Sequence, residues 1–149
     1  EIKNILLWRS SDISEIERVT LKGGNWIILI KSATNVLKGD NFVFVYPEMM
    51  QNKIIVSRGE VITSEILEKK DLEFENINSK INTLLKKTRD KIKSRGSIVN
   101  EITTKGDFIK KIRDSIEANL KNKYLIEVVS LKDSKTAESI IVELNITQL

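Results

Sequence analysis

Cysteine and histidine are both absent from the 149 residues, and the two absences remove most of the familiar side-chain chemistry. Without cysteine there is no disulfide framework, and no zinc or iron–sulfur centre held by thiolates. Without histidine there is no imidazole to activate a serine or cysteine nucleophile. The commonest metal ligand and the usual near-neutral general base go with it. Catalysis is left with carboxylate and lysine chemistry, or Mg²⁺ held by carboxylates. A non-enzymatic role is therefore expected ahead of an enzymatic one, with no cofactor and no metal site.

Proline occurs once, at Pro47, which argues against a Pro-rich linker. Long apolar runs are missing as well. The longest, Trp26-Ile27-Ile28-Leu29-Ile30, falls far short of the ~20 residues that span a bilayer. The N-terminal residues lack the apolar core of a signal peptide. No membrane partner is expected, and the cysteine-free composition leans toward an intracellular protein. Aromatic residues make up only 5% of the chain, too few for an extensive base-stacking platform.

What is present is a charged, isoleucine- and lysine-rich chain whose hydrophobic period changes part-way along. Its length suits one domain over 1–149, with a possible division into a β-rich part at 1–62 and a helical part plus hairpin at 63–149. Strands are expected over 2–8, 25–31, 42–46, 53–57 and 60–62, which are apolar, aromatic or β-branched. Gly23-Gly24, Gly39-Asp40 and Pro47 punctuate them. Over 10–21 a capping pattern, Ser11-Asp12 followed by Glu15, suggests a short helix. The run Val19-Thr20-Leu21 suggests a strand after it.

From Thr63-Ser64-Glu65 a helix is expected, interrupted near 71–78 and continuing to about residue 93. Its second half is the clear part, because Ile77, Ile81, Leu84, Leu85 and Ile92 share one stripe about 100° wide. Gly96 supplies its stop. Residues 97–104 fit either a brief helix or a strand. A second helix is expected from Asp107 to about residue 120, with Phe108, Ile109, Ile112, Ile116 and Leu120 on one side. A β-hairpin follows, from 124–131 through a polar loop at 132–138 to 139–146, where Ile140, Val142, Leu144 and Ile146 share a face. The expected fold class is α+β, with a β-rich N-terminal half, two main amphipathic helices and a C-terminal hairpin.

Charge is distributed unevenly. Residues 80–123 hold 13 basic and five acidic side chains, a net +8, whereas the remainder is net −4, summing to the chain's +4. A basic centre with acidic flanks is the footprint of a face that meets nucleic acid or another polyanion. The same lysines read equally as solvated faces of amphipathic helices, and around the helix from Lys80 to Arg95 they spread rather than align. Helix, short element, helix and hairpin over 75–146 also follow the order of a winged helix, in which the third helix enters the major groove. Lys110, Lys111 and Arg113 would then face the groove, with Lys132 and Lys135 on the wing. Lys86, Lys87, Arg89, Lys93 and Arg95 complete the candidate nucleic-acid-binding set.

Other features carry less. Lys22-Gly23-Gly24-Asn25 and Lys38-Gly39-Asp40 are too short to cradle phosphate and read as turns. Glu68-Lys69-Lys70 falls in an expected helix rather than on the strand that metal-dependent phosphodiester chemistry needs. Trp8 and Tyr46 are the two aromatics that fit an outward position. An alternative function is a structural or adaptor subunit of a larger assembly, meeting a protein partner or a second copy. It would pair through strand edges, such as residues 144–149, or through the 64–93 helix. No small-molecule site is identifiable.

Overall fold

The computed structural model describes residues 4–68, 71, 74–106, 110–112, 114 and 123–149. The fold is α+β, and the chain divides into two compact units, Glu1–Lys53 and Ile54–Leu149. Among the described residues no helix is long and apolar enough to cross a membrane.

The first unit holds β1 (Asn4–Leu7), α1 (Ser11–Leu21), β2 (Trp26–Ser32) and β3 (Phe42–Gln51). Its sheet has the order β1-β3-β2. β1 runs parallel to β3 over Phe42 to Val45, and β2 runs antiparallel along β3 from Trp26↔Gln51 to Ser32↔Val45. β3 continues through Pro47, which faces Ile30. At that point β1 has ended, so β3 has β2 alone beside it, the edge-like setting in which a missing N–H is tolerated.

α1 is one helix to Leu21, and the strand expected at Val19-Thr20-Leu21 does not form. Val19 is buried, and the Thr20 hydroxyl donates to the Ile16 carbonyl at 2.8 Å, one helical turn back. Ser10 makes no side-chain cap. The buried Asp12 carboxylate instead accepts the Arg9 backbone N–H and Arg9 Nε at 3.2 and 3.1 Å.

The second unit holds β4 (Ile54–Val56), β5 (Val61–Glu68), α2 (Phe74–Ser94), β6 (Ile102–Thr104), β7 (Lys123–Ser130), β8 (Ser134–Lys135) and β9 (Ile140–Gln148). Its main sheet has the order β5-β7-β9-β6, and β4 pairs with β8 in a separate ribbon. One face of the main sheet is the core. Leu67, Tyr124, Ile126, Val128, Val142 and Leu144 are buried there with Ile77, Ile81, Leu84 and Ile92 of α2. The apolar stripe read from the sequence is thus spent inside the unit, and it is not open to another chain.

Two expectations need correction, the start of the helix and the winged-helix order. The helix does not begin at Thr63, because β5 runs to Glu68 in register with β7 (Leu67↔Tyr124, Glu68↔Lys123). The local helix-start signal lost to a ladder with residues about sixty positions away, since strand pairing joins both backbones at once. Of residues 97–104, which fitted a brief helix or a strand, Ile102–Thr104 form strand β6, parallel to β9 with Ile102↔Ile140. A strand between the helices removes the three-helix order of a winged helix, and the half-buried Ile102 packs against the core instead. β9 lies between β7 and β6 only over Ile140–Val142, and beyond Val142 it has β7 alone beside it among the described strands.

The C-terminal hairpin forms as expected, with β7 antiparallel to β9. Its loop carries β8, which ties back to β4. Of the expected second helix, Lys110, Lys111, Ile112 and Asp114 are helical and Ile112 is fully buried. Asp107, Phe108, Ile109, Arg113, Ile116 and Leu120 lie outside the described residues.

Candidate functional site

α2 supplies six of the 13 basic residues of 80–123, and its packing, with that of Arg95 just past its end, sorts them into flanks. The flank beside β5 is neutralised by acids of its own unit. Lys87 Nζ donates to Glu65 Oε2 at 2.6 Å, and Lys80 Nζ lies 3.9 Å from Asp71 Oδ1. Arg95 Nη1 donates to Glu60 Oε1 at 2.5 Å and to the Ile55 carbonyl at 3.2 Å, clasping the start of β4 to the turn before β5. Glu60 also accepts the Ser57 backbone N–H at 3.0 Å. That bond chiefly, with the Arg95 and Lys91 charges, holds the Glu60 carboxyl below its ordinary value against the opposing effect of burial. Lys87 and Arg95 are therefore structural cations rather than open ones.

The opposite flank is different. Lys86, Arg89 and Lys93 follow i, i+3, i+7 spacing, which places them within about 60° of one another on the outer side of the helix. All three are exposed. No acid among the described residues pairs with any of them. At 1.5 Å rise per residue the stripe is about 10 Å long. Exposed Asn82, one turn before Lys86, extends it with a neutral hydrogen-bonding group.

Gly96 decides what stands beside this stripe. Its φ of +101° is open to glycine and costly for other residues, and it turns the chain back along the end of α2. The Gly96 and Ser97 N–H groups close on the Lys93 and Ile92 carbonyls at 3.0 and 3.3 Å. Ser97 Oγ then donates to the Val99 carbonyl, and the Ile98 N–H to the Thr136 carbonyl. The anchored segment leaves a cleft of about 240 Å³, lined by Arg89, Asp90 and Lys93 on the helix side and Val99, Asn100 and Ile102 on the other. Two cations, one acid and an amide at an open cleft can hold an anionic group by charge-assisted hydrogen bonds. They provide no nucleophile with an activating base.

None of the other described sequence candidates lines this cleft. Lys110 and Lys111 are exposed on the helical segment after β6, and Arg113 lies outside the described residues. Lys132 and Lys135 are half-buried in the β7–β9 connection. There the β4–β8 ribbon and an Arg58 N–H donated to Asp133 Oδ1 at 2.7 Å organise the loop. The cleft partner Asn100 was missed in the sequence, because only the turn at Gly96 brings it near the helix.

The first unit carries an aromatic cluster, in which Phe44 meets Trp8 and Phe42 edge-on with centroids 5.6 and 5.4 Å apart. Trp8 is outward, as the sequence allowed, at 53% exposure, and Phe42 matches it at 50%. Tyr46 is half-buried. Arg9, next to Trp8, is engaged with Asp12, and Lys31 is engaged with Glu48. The hydrogen bond to Glu48 is the main reason the Lys31 amine is held above its ordinary value. No family model, curated protein or solved structure matches this chain.

Proposed function

We propose that the chain is a non-enzymatic binding protein that holds a polyanion, nucleic acid foremost, along the outer flank of α2. The observation that carries this reading is the contrast between the two flanks. Lys80, Lys87 and Arg95 meet acids within the unit, whereas Lys86, Arg89 and Lys93 align on one exposed line beside a cleft and meet none among the described residues. A row of uncompensated cations attracts phosphate through counterion release, a term indifferent to base sequence. Phosphate contacts would dominate and base discrimination would be slight.

The test is fluorescence anisotropy with labelled single- and double-stranded oligonucleotides, titrated with salt. Three cations meeting phosphates give a slope of log affinity against log salt of about −2 to −3. The variant K86E/R89E/K93E should lose at least about tenfold in affinity at low salt with an unchanged circular dichroism spectrum. Flat anisotropy at low salt, or full binding by the variant, would sink the proposal.

A second reading, a subunit of an assembly, draws support from the first unit. There Ile5, Trp8, Ile30 and Phe42 are each at least half exposed, more apolar surface than a small unit ordinarily leaves in water. The stripe of α2 is occupied, so this reading narrows to strand edges.

A further inference from the structure

β2 is the one terminal strand of the described sheets that carries no guard. It pairs with β3 along its full length and with no other described strand. An open edge offers a row of N–H and C=O groups to any extended chain, and proteins ordinarily blunt it by brevity, charge, proline or a bulge. The other terminal strands of the two larger sheets have such devices. β1 is four residues long and β6 three. β5 has an irregular register between Val61 and Thr63. β2 runs seven residues in unbroken register, without proline and apolar from Trp26 to Ile30. Its single charge, Lys31, is bound across the sheet by Glu48 and so does not defend the edge.

We propose that β2 pairs antiparallel with β2 of a second copy of this chain, about a two-fold axis at Leu29, joining two three-stranded sheets into one of six strands. The residue pattern favours a second copy over an unrelated strand. In this register Ile28 of one copy lies against Ile30 of the other, Ile27 against Lys31, and Trp26 against Ser32. No charge meets a like charge, which would oppose pairing. Ile28 and Ile30, 40% and 55% exposed in the single chain, share a face and cover each other across the axis. An isologous contact of this kind closes after two copies and leaves no growing edge. It does not depend on the polyanion reading, which concerns the other unit.

The absence of cysteine makes the register directly testable. Sedimentation equilibrium of the full chain should show a reversible dimer, and the double variant I28K/I30K, which sets lysine against lysine across the axis, should be monomeric with an unchanged circular dichroism spectrum. Under mild oxidation L29C should form a disulfide-linked dimer, because the two residues 29 face each other within bridging distance. I27C, on the same face but about 13 Å from its copy by strand rise, should cross-link at least about tenfold more slowly. A monomeric wild-type chain overturns the proposal. So does a dimer that survives I28K/I30K, or one that cross-links through residue 27 as fast as through residue 29.

Discussion

Thr88 shows how far one side chain is held by its surroundings. It is fully buried on the core side of α2, where its hydroxyl donates to the Leu84 carbonyl at 2.7 Å and meets Thr63 Oγ1 of β5 at 2.6 Å. A polar group with its bonds made is tolerated in a core, and an orphaned partner is not. T88V removes both bonds and leaves Thr63, which is only part-buried, to find water. It should destabilise the chain by about 1–2 kcal/mol, read as a lower urea midpoint at an unchanged slope. Glu60 makes a pH-dependent contribution. Its carboxyl is held below the ordinary 4.5, first by the Ser57 N–H and then by Arg95. The ionised form is therefore the one the fold prefers. That stability is fully present above 4.5 and is lost as pH falls through the lower, folded value. E60Q should lower stability near neutral pH and flatten its decline on the acid side, measured by urea midpoints between pH 7 and 3.

At the scale of the element, α2 has two faces with separate tasks. The inner face carries Ile77, Ile81, Leu84 and Ile92 at 2% to 7% exposure. L84A removes a nearly enclosed side chain from the contact with the sheet and should cost about 2–5 kcal/mol, read by chemical denaturation. The inner stripe was legible in the sequence because its period of 3.6 reports which side chains share a face. The start of the helix was not legible. Thr63-Ser64-Glu65 has the residue types of a helix start, but Thr63, Glu65 and Leu67 also alternate as a strand requires, opposite Val128, Ile126 and Tyr124. Residues 97–104 were ambiguous for the same reason. Three residues of β6 carry too little period to resolve, and their partner Ile140 to Val142 lies far along the chain.

Across the whole molecule, net charge and placed charge make different predictions. K86E/R89E/K93E and K80E/K87E/K91E each lower the net charge of +4 by six. If charge alone governed oligonucleotide binding, the two would behave alike. The placement predicts instead that the first loses affinity and keeps its stability. The second should lose stability, because it sets glutamates beside Glu65, Asp71 and Glu60, and should keep more of the affinity. Parallel anisotropy and urea titrations of the two variants separate these outcomes. Residue types alone determined the exclusions, since without imidazole or thiol the corresponding chemistry cannot be assembled. Local period alone determined the α+β class, the inner face of α2 and the C-terminal hairpin, because side-chain direction repeats within each element. Which cations are open was decided only by the tertiary structure. Lys87 meets Glu65 22 positions away and Arg95 meets Glu60 35 positions away. Neutralisation depends on distance in space, and no spacing along the chain reports it.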